Sequence, residues 1–233
     1  MDNKMEKPKV YTEAEIRARW RKKKAGIDLL CENIRRLRYN MSAQLKSDNE
    51  KTRLTALAIM IMDKTAERVG NEMSAENGHI GITGLQKRNV RLMGHNMALS
   101  YVGKSGVYHY KTINDSRIVE ALRQARKNTP SDYIFMTSDG FKIKSDRVNR
   151  ILSDYGVTAK DLRGYAANKL VTQALDKTKP EDTESARKKQ FNSVAKRVAE
   201  KIGHGLATLK KHYLLPQIET NFVLKGQKTN IND

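Results

Sequence analysis

Apolar residues recur every three or four positions along much of the chain, which is the spacing that brings them to one face of a helix. A helical pattern begins at Thr12, and a second one runs from Ile27 to Leu45. A third, from Leu54 to Met62, is so apolar that it predicts a helix buried in the core. The front of the chain is therefore predicted to consist of three helices.

The pattern changes after about residue 78, where glycines separate short runs in which apolar and polar residues alternate. Such alternation is typical of strands, and the stretch Gly103-Lys104-Ser105-Gly106 has the composition of a hairpin turn. We expect a small antiparallel sheet at about residues 78–113 and helices again over 114–216. The predicted fold class is α+β, predominantly α-helical with a small antiparallel sheet or hairpin.

The length of 233 residues suits one generous domain or two small ones. We expect a flexible arm over residues 1–11, one folded domain over 12–216 and a polar C-terminal tail over 217–233. The sequence has no run of about 18 apolar residues, which argues against a membrane-spanning helix. The single cysteine, Cys31, cannot form an internal disulfide or a cysteine-rich zinc site, so we expect an intracellular protein.

The charge balance points to a polyanionic partner. The chain has 45 Lys and Arg against 26 Asp and Glu, a formal net charge of +19. Nucleic acid is the leading candidate for such a protein, although solubility or an architectural role without chemistry would also explain the excess. Carboxylates are not clustered at the spacing of metal ligands, which argues against a two-metal nuclease.

Cleavage of a phosphodiester without a metal requires three kinds of group. A nucleophile attacks phosphorus, cations stabilise the charge on the phosphate oxygens, and an acid protonates the leaving oxygen. Tyrosine, arginine, histidine and lysine can fill these roles. Composition alone does not choose among 45 basic residues and nine tyrosines.

Four motifs make that choice through a resemblance to type IB DNA topoisomerases. Residues 68–72, RVGNE, resemble the first-arginine motif of that family, and 101–107, YVGKSGV, resemble its hairpin-lysine motif. Residues 160–165, KDLRGY, are similar to the second-arginine motif in its poxvirus form. Gly203-His204 with Tyr213 nine residues after the histidine is similar to the terminal motif. The motifs follow the order of the family over roughly residues 50–216.

The resemblance implies an enzyme that nicks and religates one strand of duplex DNA through a 3′-phosphotyrosyl intermediate, relaxing supercoils without metal, ATP or any other cofactor. It implies that Tyr213 is the nucleophile and that Lys104 protonates the leaving 5′ oxygen. It further implies that Arg68, Arg163 and His204 bind the phosphate oxygens. The additional residues expected to bind DNA are Lys160, Arg88, Arg35 and Arg36.

Two other functions remain open from the sequence. A tyrosine recombinase or integrase uses nearly the same residues, but usually carries a histidine where this chain has Lys160. A basic DNA-binding protein without activity is the other alternative. The partner expected in every case is double-stranded DNA, with no membrane and no small-molecule cofactor. For the topoisomerase we expect a monomer, whereas a recombinase would act within a tetramer. The N-terminal β-rich domain usual in viral and bacterial topoisomerases is not expected within this sequence, because the 50 or so residues before the core have a helical pattern. The chain is then either a catalytic domain cut from a longer protein or a natural short form.

Overall fold

The computed structural model describes residues 12–71, 80–103 and 106–231. The predicted arm at residues 1–11 and the hairpin lysine, Lys104, lie outside this part of the chain. Helix α1, Glu13–Gln44, begins at a capping box in which the Thr12 and Glu15 side chains each bond the other's backbone. The prediction of two helices here is wrong, because α1 is one continuous helix of 32 residues. No proline interrupts it, and its apolar face is continuous from Ile27 to Met41.

Helix α2, Glu50–Thr65, forms the centre of the core, as its apolar sequence predicted. It begins at Asn49, whose side chain accepts a hydrogen bond from the backbone N–H of Thr52. It ends at Ala66, which adopts the left-handed conformation with φ of 57°. This conformation is unfavourable for alanine, and it turns the chain sharply just before Glu67 and Arg68.

The predicted antiparallel sheet is present, with its three strands in the order β1-β2-β3. The strands are β1, Val90–Met93; β2, Asn96–Val102; and β3, Tyr108–Asn114. Tyr101 on β2 lies directly opposite His109 on β3. The sheet begins later than expected from the glycine pattern, because residues 82–89 form two short 3₁₀ turns instead of a strand.

The remaining helices are α3, Ser116–Asn128; α4, Ser145–Ser153; α5, Ala159–Asp176; α6, Glu184–Lys201; α7, Leu206–His212; and α8, Pro216–Lys225. The capping box predicted at Thr158 opens α5. The prediction of a polar tail from residue 217 is wrong at its start, because α8 buries Ile218, Phe222 and Val223. The Phe222 ring lies 6.2 Å from that of Phe191 on α6, so tertiary packing stabilises this short helix.

The fold class is confirmed as predominantly helical with a small antiparallel sheet. Helices α1 and α2 pack on each other and on α5, and α6 packs on α5, α7 and α8. Within the described residues, no helix is long and apolar enough to cross a membrane. The end of α2, the start of α5 and the turn between α6 and α7 carry the predicted site residues.

Candidate active site

Four of the five predicted catalytic residues lie in the described chain, and they come together. Arg68 follows the end of α2, and Arg163 lies in the second turn of α5. His204 lies in the turn between α6 and α7, and Tyr213 follows the last residue of α7. The fifth, Lys104, is outside the described residues, so its place stays a prediction.

His204 is in contact with Arg68 on one side and Tyr213 on the other. Nη2 of Arg68 lies 3.5 Å from Nδ1 of His204. The rings of His204 and Tyr213 stack with their centroids 4.8 Å apart. The guanidinium carbon of Arg163 lies 5.5 Å from the centroid of the Tyr213 ring. We refer to Arg68, Arg163, His204 and Tyr213 together as the anion pocket.

Arg163 is a buried cation with only part of its hydrogen-bond donors satisfied. Arg163 is only 3% exposed, and its Nη2 atom donates to the backbone oxygen of Ile202 at 2.6 Å. Within the described residues, its Nε and Nη1 atoms have no hydrogen-bond partner. Desolvation by burial lowers the pKa of Arg163, with a further lowering by the nearby Arg68. A guanidinium nevertheless stays charged in proteins, so these free N–H groups attract an anion.

His204 offers a second donor without a partner. Burial, then the charges of Arg163 and Arg68, lowers its pKa to about 3, so the ring is neutral near pH 7. Arg68 can only donate, so Nδ1 is the acceptor and the proton resides on Nε2. Within the described residues, Nε2 has no partner. His204 therefore has an N–H group without an acceptor among the described residues.

Tyr213 is placed by a residue that sequence analysis missed. The side-chain amide of Asn168 on α5 donates to the backbone oxygen of Tyr213 at 2.8 Å. Its carbonyl oxygen accepts from the backbone N–H of Leu215 at 2.7 Å. Asn168 is fully buried on a helix face that is otherwise largely apolar. Such a polar position on a core face is the signal that could have identified it.

A buried carboxylate next to Arg68 was also missed. Both oxygens of Glu67 are hydrogen-bonded, Oε2 by the Tyr101 hydroxyl at 2.7 Å and Oε1 by Nδ1 of His109 at 2.8 Å. Nζ of Lys111 lies 3.4 Å from Oε1. Burial would raise the pKa of Glu67, but the hydrogen bond and charge of His109, then Tyr101 and Lys111, bring it below the usual value. We refer to Glu67, Tyr101, His109 and Lys111 as the Glu67 cluster.

The comparisons with known proteins agree with the geometry. Residues 17–224 match the family model described as the eukaryotic DNA topoisomerase I catalytic core. The chain belongs to this family. The resemblance inferred from the four sequence motifs is thereby confirmed.

Individual relatives share a modest identity with the chain. DNA topoisomerase 1 of Candida albicans is 27% identical over 190 residues, which cover 78% of this chain and 24% of that protein. DNA topoisomerase 1B of Acanthamoeba polyphaga mimivirus is 29% identical over 196 residues, covering 77% and 56%. This chain therefore spans about a quarter of the yeast relative and about half of the viral one. A solved structure of the XerH site-specific recombinase bound to difH substrate aligns with a TM-score of 0.49 at 18% identity, over 81% of this chain and 48% of its own.

The additional residues predicted to bind DNA are not part of the anion pocket. They are exposed side chains on α1, on a 3₁₀ turn and at the start of α5: Arg35, Arg36, Arg88 and Lys160. Arg36 lies over the ring of Tyr155, 5.3 Å from its centroid. The charge of Lys160, after burial, helps lower the pKa of Lys23 to about 7. Their contacts with DNA stay a prediction.

In the described part of the chain, no three His, Cys, Asp or Glu side chains group as a metal site. The only carboxylate of the Glu67 cluster has both oxygens engaged by donors. The anion pocket combines the ring of Tyr213 with nitrogen donors of two arginines and a histidine.

Proposed function

We propose that this chain is the catalytic unit of a type IB DNA topoisomerase, which nicks one strand of duplex DNA, allows rotation and religates it. The observation that carries the proposal is the set of buried nitrogen atoms around Tyr213 without acceptors among the described residues, namely Nε and Nη1 of Arg163 and Nε2 of His204. A phosphodiester provides the acceptor oxygens that these atoms lack. Membership of the topoisomerase I family supports the same reaction.

The first role in the proposal is phosphate binding. Arg163 and Arg68 bind the non-bridging oxygens of the scissile phosphate, and the neutral His204 donates from Nε2 to one of them. These donors are held by folded elements before the DNA arrives, so little reorganisation is needed as charge develops on phosphorus. Removing one such donor typically lowers the rate of an enzyme by about 10²–10³-fold.

The second role is covalent chemistry at Tyr213. The phenol releases its proton to water as its oxygen attacks phosphorus, the bond from phosphorus to the 5′ oxygen breaks, and that oxygen takes a proton from Lys104, whose role is carried by its sequence motif. The positive charge of Arg163 beside the ring stabilises the developing oxyanion. The 3′-phosphotyrosyl link conserves the energy of the bond, so religation is the reverse reaction and requires neither ATP nor metal.

The third role is binding of the duplex. The net charge of +19 favours phosphate contacts, and we assign such contacts to Lys160, Arg88, Arg35 and Arg36. Affinity for DNA should then fall steeply with salt, because each neutralised phosphate releases counterions. We further propose that the chain acts as a monomer, wherever DNA is present in the cell.

The test is relaxation of negatively supercoiled plasmid in EDTA without ATP. The parent chain should give a ladder of topoisomers, and Tyr213→Phe should give none while binding DNA with unchanged affinity, because only one hydroxyl is lost. Tyr110→Phe is the matched control, because Tyr110 is an exposed tyrosine on β3. This variant should relax plasmid like the parent.

Two outcomes would contradict the proposal. A parent chain that shifts DNA on a gel but never relaxes it would be a DNA-binding protein without this activity. A parent chain that exchanges strands between plasmids bearing candidate sites would be a recombinase. Detection of a covalent adduct on the 3′ side of the nick, absent in Tyr213→Phe, distinguishes tyrosine chemistry from contaminating nucleases.

A further inference from the structure

The Glu67 cluster lies between three segments of the proposed site. Glu67 immediately precedes Arg68, and its partner His109 lies against the backbone of Gly103 and Gly203. These two glycines precede Lys104 and His204 in the sequence. The imidazole of His109 thus touches the backbone just before two predicted catalytic residues. Its partner Glu67 directly precedes a third, Arg68.

The contacts of the His109 ring are tight on both sides. A Cβ atom on Gly103 would lie 2.6 Å from Nε2 of His109, and one on Gly203 would lie 2.4 Å from Cε1. Both distances are below 3.0 Å, which real Cβ atoms essentially never reach, so both positions require glycine. Gly203 also has φ of +71°, which favours glycine independently. The ring therefore fills the whole space between the two backbone segments.

The ring itself is held in one orientation. Nδ1 of His109 donates to Glu67 at 2.8 Å, and the ring stacks on Tyr101 at 5.1 Å between centroids with an angle of 4° between planes. Tyr101 donates to the other oxygen of the same carboxylate. Lys111 pairs with Glu67 and also donates to the backbone oxygen of Lys201, the last residue of α6. One carboxylate thus connects the end of α2, two strands and the end of α6.

Stability alone does not explain a charge in this position. Replacing a buried ion cluster by apolar side chains of similar volume is often neutral or stabilising. A geometric role accounts for the arrangement better, because the hydrogen bonds specify the orientation of the ring, which apolar packing would not.

We propose that Glu67 and His109 are positioning residues for the anion pocket. Glu67 fixes the imidazole of His109, and that imidazole sets the separation between the Gly103 and Gly203 segments. It thereby sets where Nε2 of His204 meets the scissile phosphate. The inference rests on the proposed function, because it assumes that the phosphate of DNA occupies the anion pocket.

Two variants test separately the hydrogen bond from His109 to Glu67 and the spacing that the His109 ring sets between the two glycine segments. Glu67→Gln keeps the volume of the side chain but removes the charge and replaces one of the two acceptor oxygens with an amide donor. His109→Asn keeps a donor near the position of Nδ1 but deletes the ring edge that touches the two glycines. Asp115→Asn is the matched control, because Asp115 is a buried carboxylate paired with Lys64 and Arg117 beyond the far end of β3.

The first measurement is single-turnover cleavage at a site mapped on plasmid DNA with the parent chain. Glu67→Gln and His109→Asn should cleave about 10–100-fold more slowly, the effect of a small misplacement of a reacting group. Their affinity for DNA should stay within about twofold of the parent, because no DNA-contacting group is altered. Asp115→Asn should match the parent in both measurements.

A double variant tests whether His109 acts through His204. If it does, His109→Asn combined with His204→Asn should be no slower than His204→Asn alone, because the misplaced group is already absent. A double variant that is slowed by the product of the two single effects would overturn the proposal. A general loss of stability would also multiply, so this measurement separates positioning from a structural role.

A measurement without DNA distinguishes failure of the inference from failure of the proposed function. Inorganic phosphate is titrated against the parent and variants while the backbone amide resonances of residues 203 and 204 are followed. The dissociation constant should rise at least about threefold in Glu67→Gln and His109→Asn and stay constant in Asp115→Asn, as expected when one donor is displaced. Failure of the parent to relax plasmid would sink the proposed function alone. Parent-like phosphate binding in both positioning variants would sink the inference.

Discussion

Two buried polar regions lie side by side in this molecule and differ in whether their charged group is paired. In the Glu67 cluster, both carboxylate oxygens accept hydrogen bonds from tyrosine or histidine, and a lysine lies beside them, although Nε2 of His109 has no partner among the described residues. In the anion pocket, three nitrogen atoms of Arg163 and His204 have no acceptor among the described residues. A buried polar group without a partner typically costs about 1–3 kcal/mol. The difference indicates that the charge of the first region is paired within the fold, whereas the charge of the second awaits a ligand.

The two regions should therefore respond differently to mutation. Removing Glu67 from the first region leaves its partners without their shared acceptor. Removing Arg163 from the second region takes away a desolvated charge whose partner is not part of the protein. Stability should therefore depend more on Glu67 than on Arg163, and the following experiments test that difference.

The largest effect is expected for Arg163→Met. Cleavage of DNA should slow by at least about 10³-fold, or about 4 kcal/mol in the barrier, because several donors to the phosphate are lost. The free energy of unfolding should stay within about 1 kcal/mol of the parent value, because an apolar side chain replaces a buried, unneutralised charge. Single-turnover cleavage and urea unfolding measure the two quantities. A stability loss well beyond this range would mean that Arg163 is part of the structural framework.

Glu67→Leu should show the opposite balance. It leaves His109, Tyr101 and Lys111 without their acceptor, so the free energy of unfolding should fall by about 3 kcal/mol. Urea unfolding checks this value. Asp115→Asn is the control, and its loss of unfolding free energy should be smaller, because the asparagine amide can still cap α3. Unchanged stability in Glu67→Leu would show that the cluster contributes nothing to the fold.

A smaller effect is expected from an anion. Inorganic phosphate at about ten times its dissociation constant should stabilise the parent by about 1.4 kcal/mol, because it binds the folded state alone. The same titration should leave Arg163→Met unchanged, and thermal unfolding measures both. Equal stabilisation of parent and variant would place the bound anion elsewhere on this basic surface.

For mild acidification, the smallest effect is a pH dependence that arises from His204. Its pKa is lowered from 6.5 to about 3 by burial and by two neighbouring arginines. Between these values the unfolded chain binds a proton that the folded chain does not, so the free energy of unfolding rises with pH across this window. Acidification from pH 6.5 should destabilise the parent more than His204→Gln, which does not titrate. Parallel curves for the two proteins would show that the ring is not held neutral.

Local pattern determined much of this protein from its sequence alone. The apolar spacing predicts α2, the alternation predicts the three strands, and Thr158 with Asp161 predicts the start of α5, because neighbouring residues decide each of these features. The order of the four motifs was enough to predict the family, which the comparison confirms. The roles of the individual residues in that site remain predictions.

Packing decided the rest. Helix α8 forms in a segment that reads as polar because Phe222 meets Phe191, 31 positions earlier in the chain. The pairing of Glu67 with His109 and of Asn168 with the backbone of Tyr213 depends on segments that are distant in sequence. A residue pattern records the preference of each segment for helix or strand, but it does not record which segments meet. The burial of Arg163 and its unused donors is therefore a property of the tertiary structure alone, since only the surrounding elements exclude water from it.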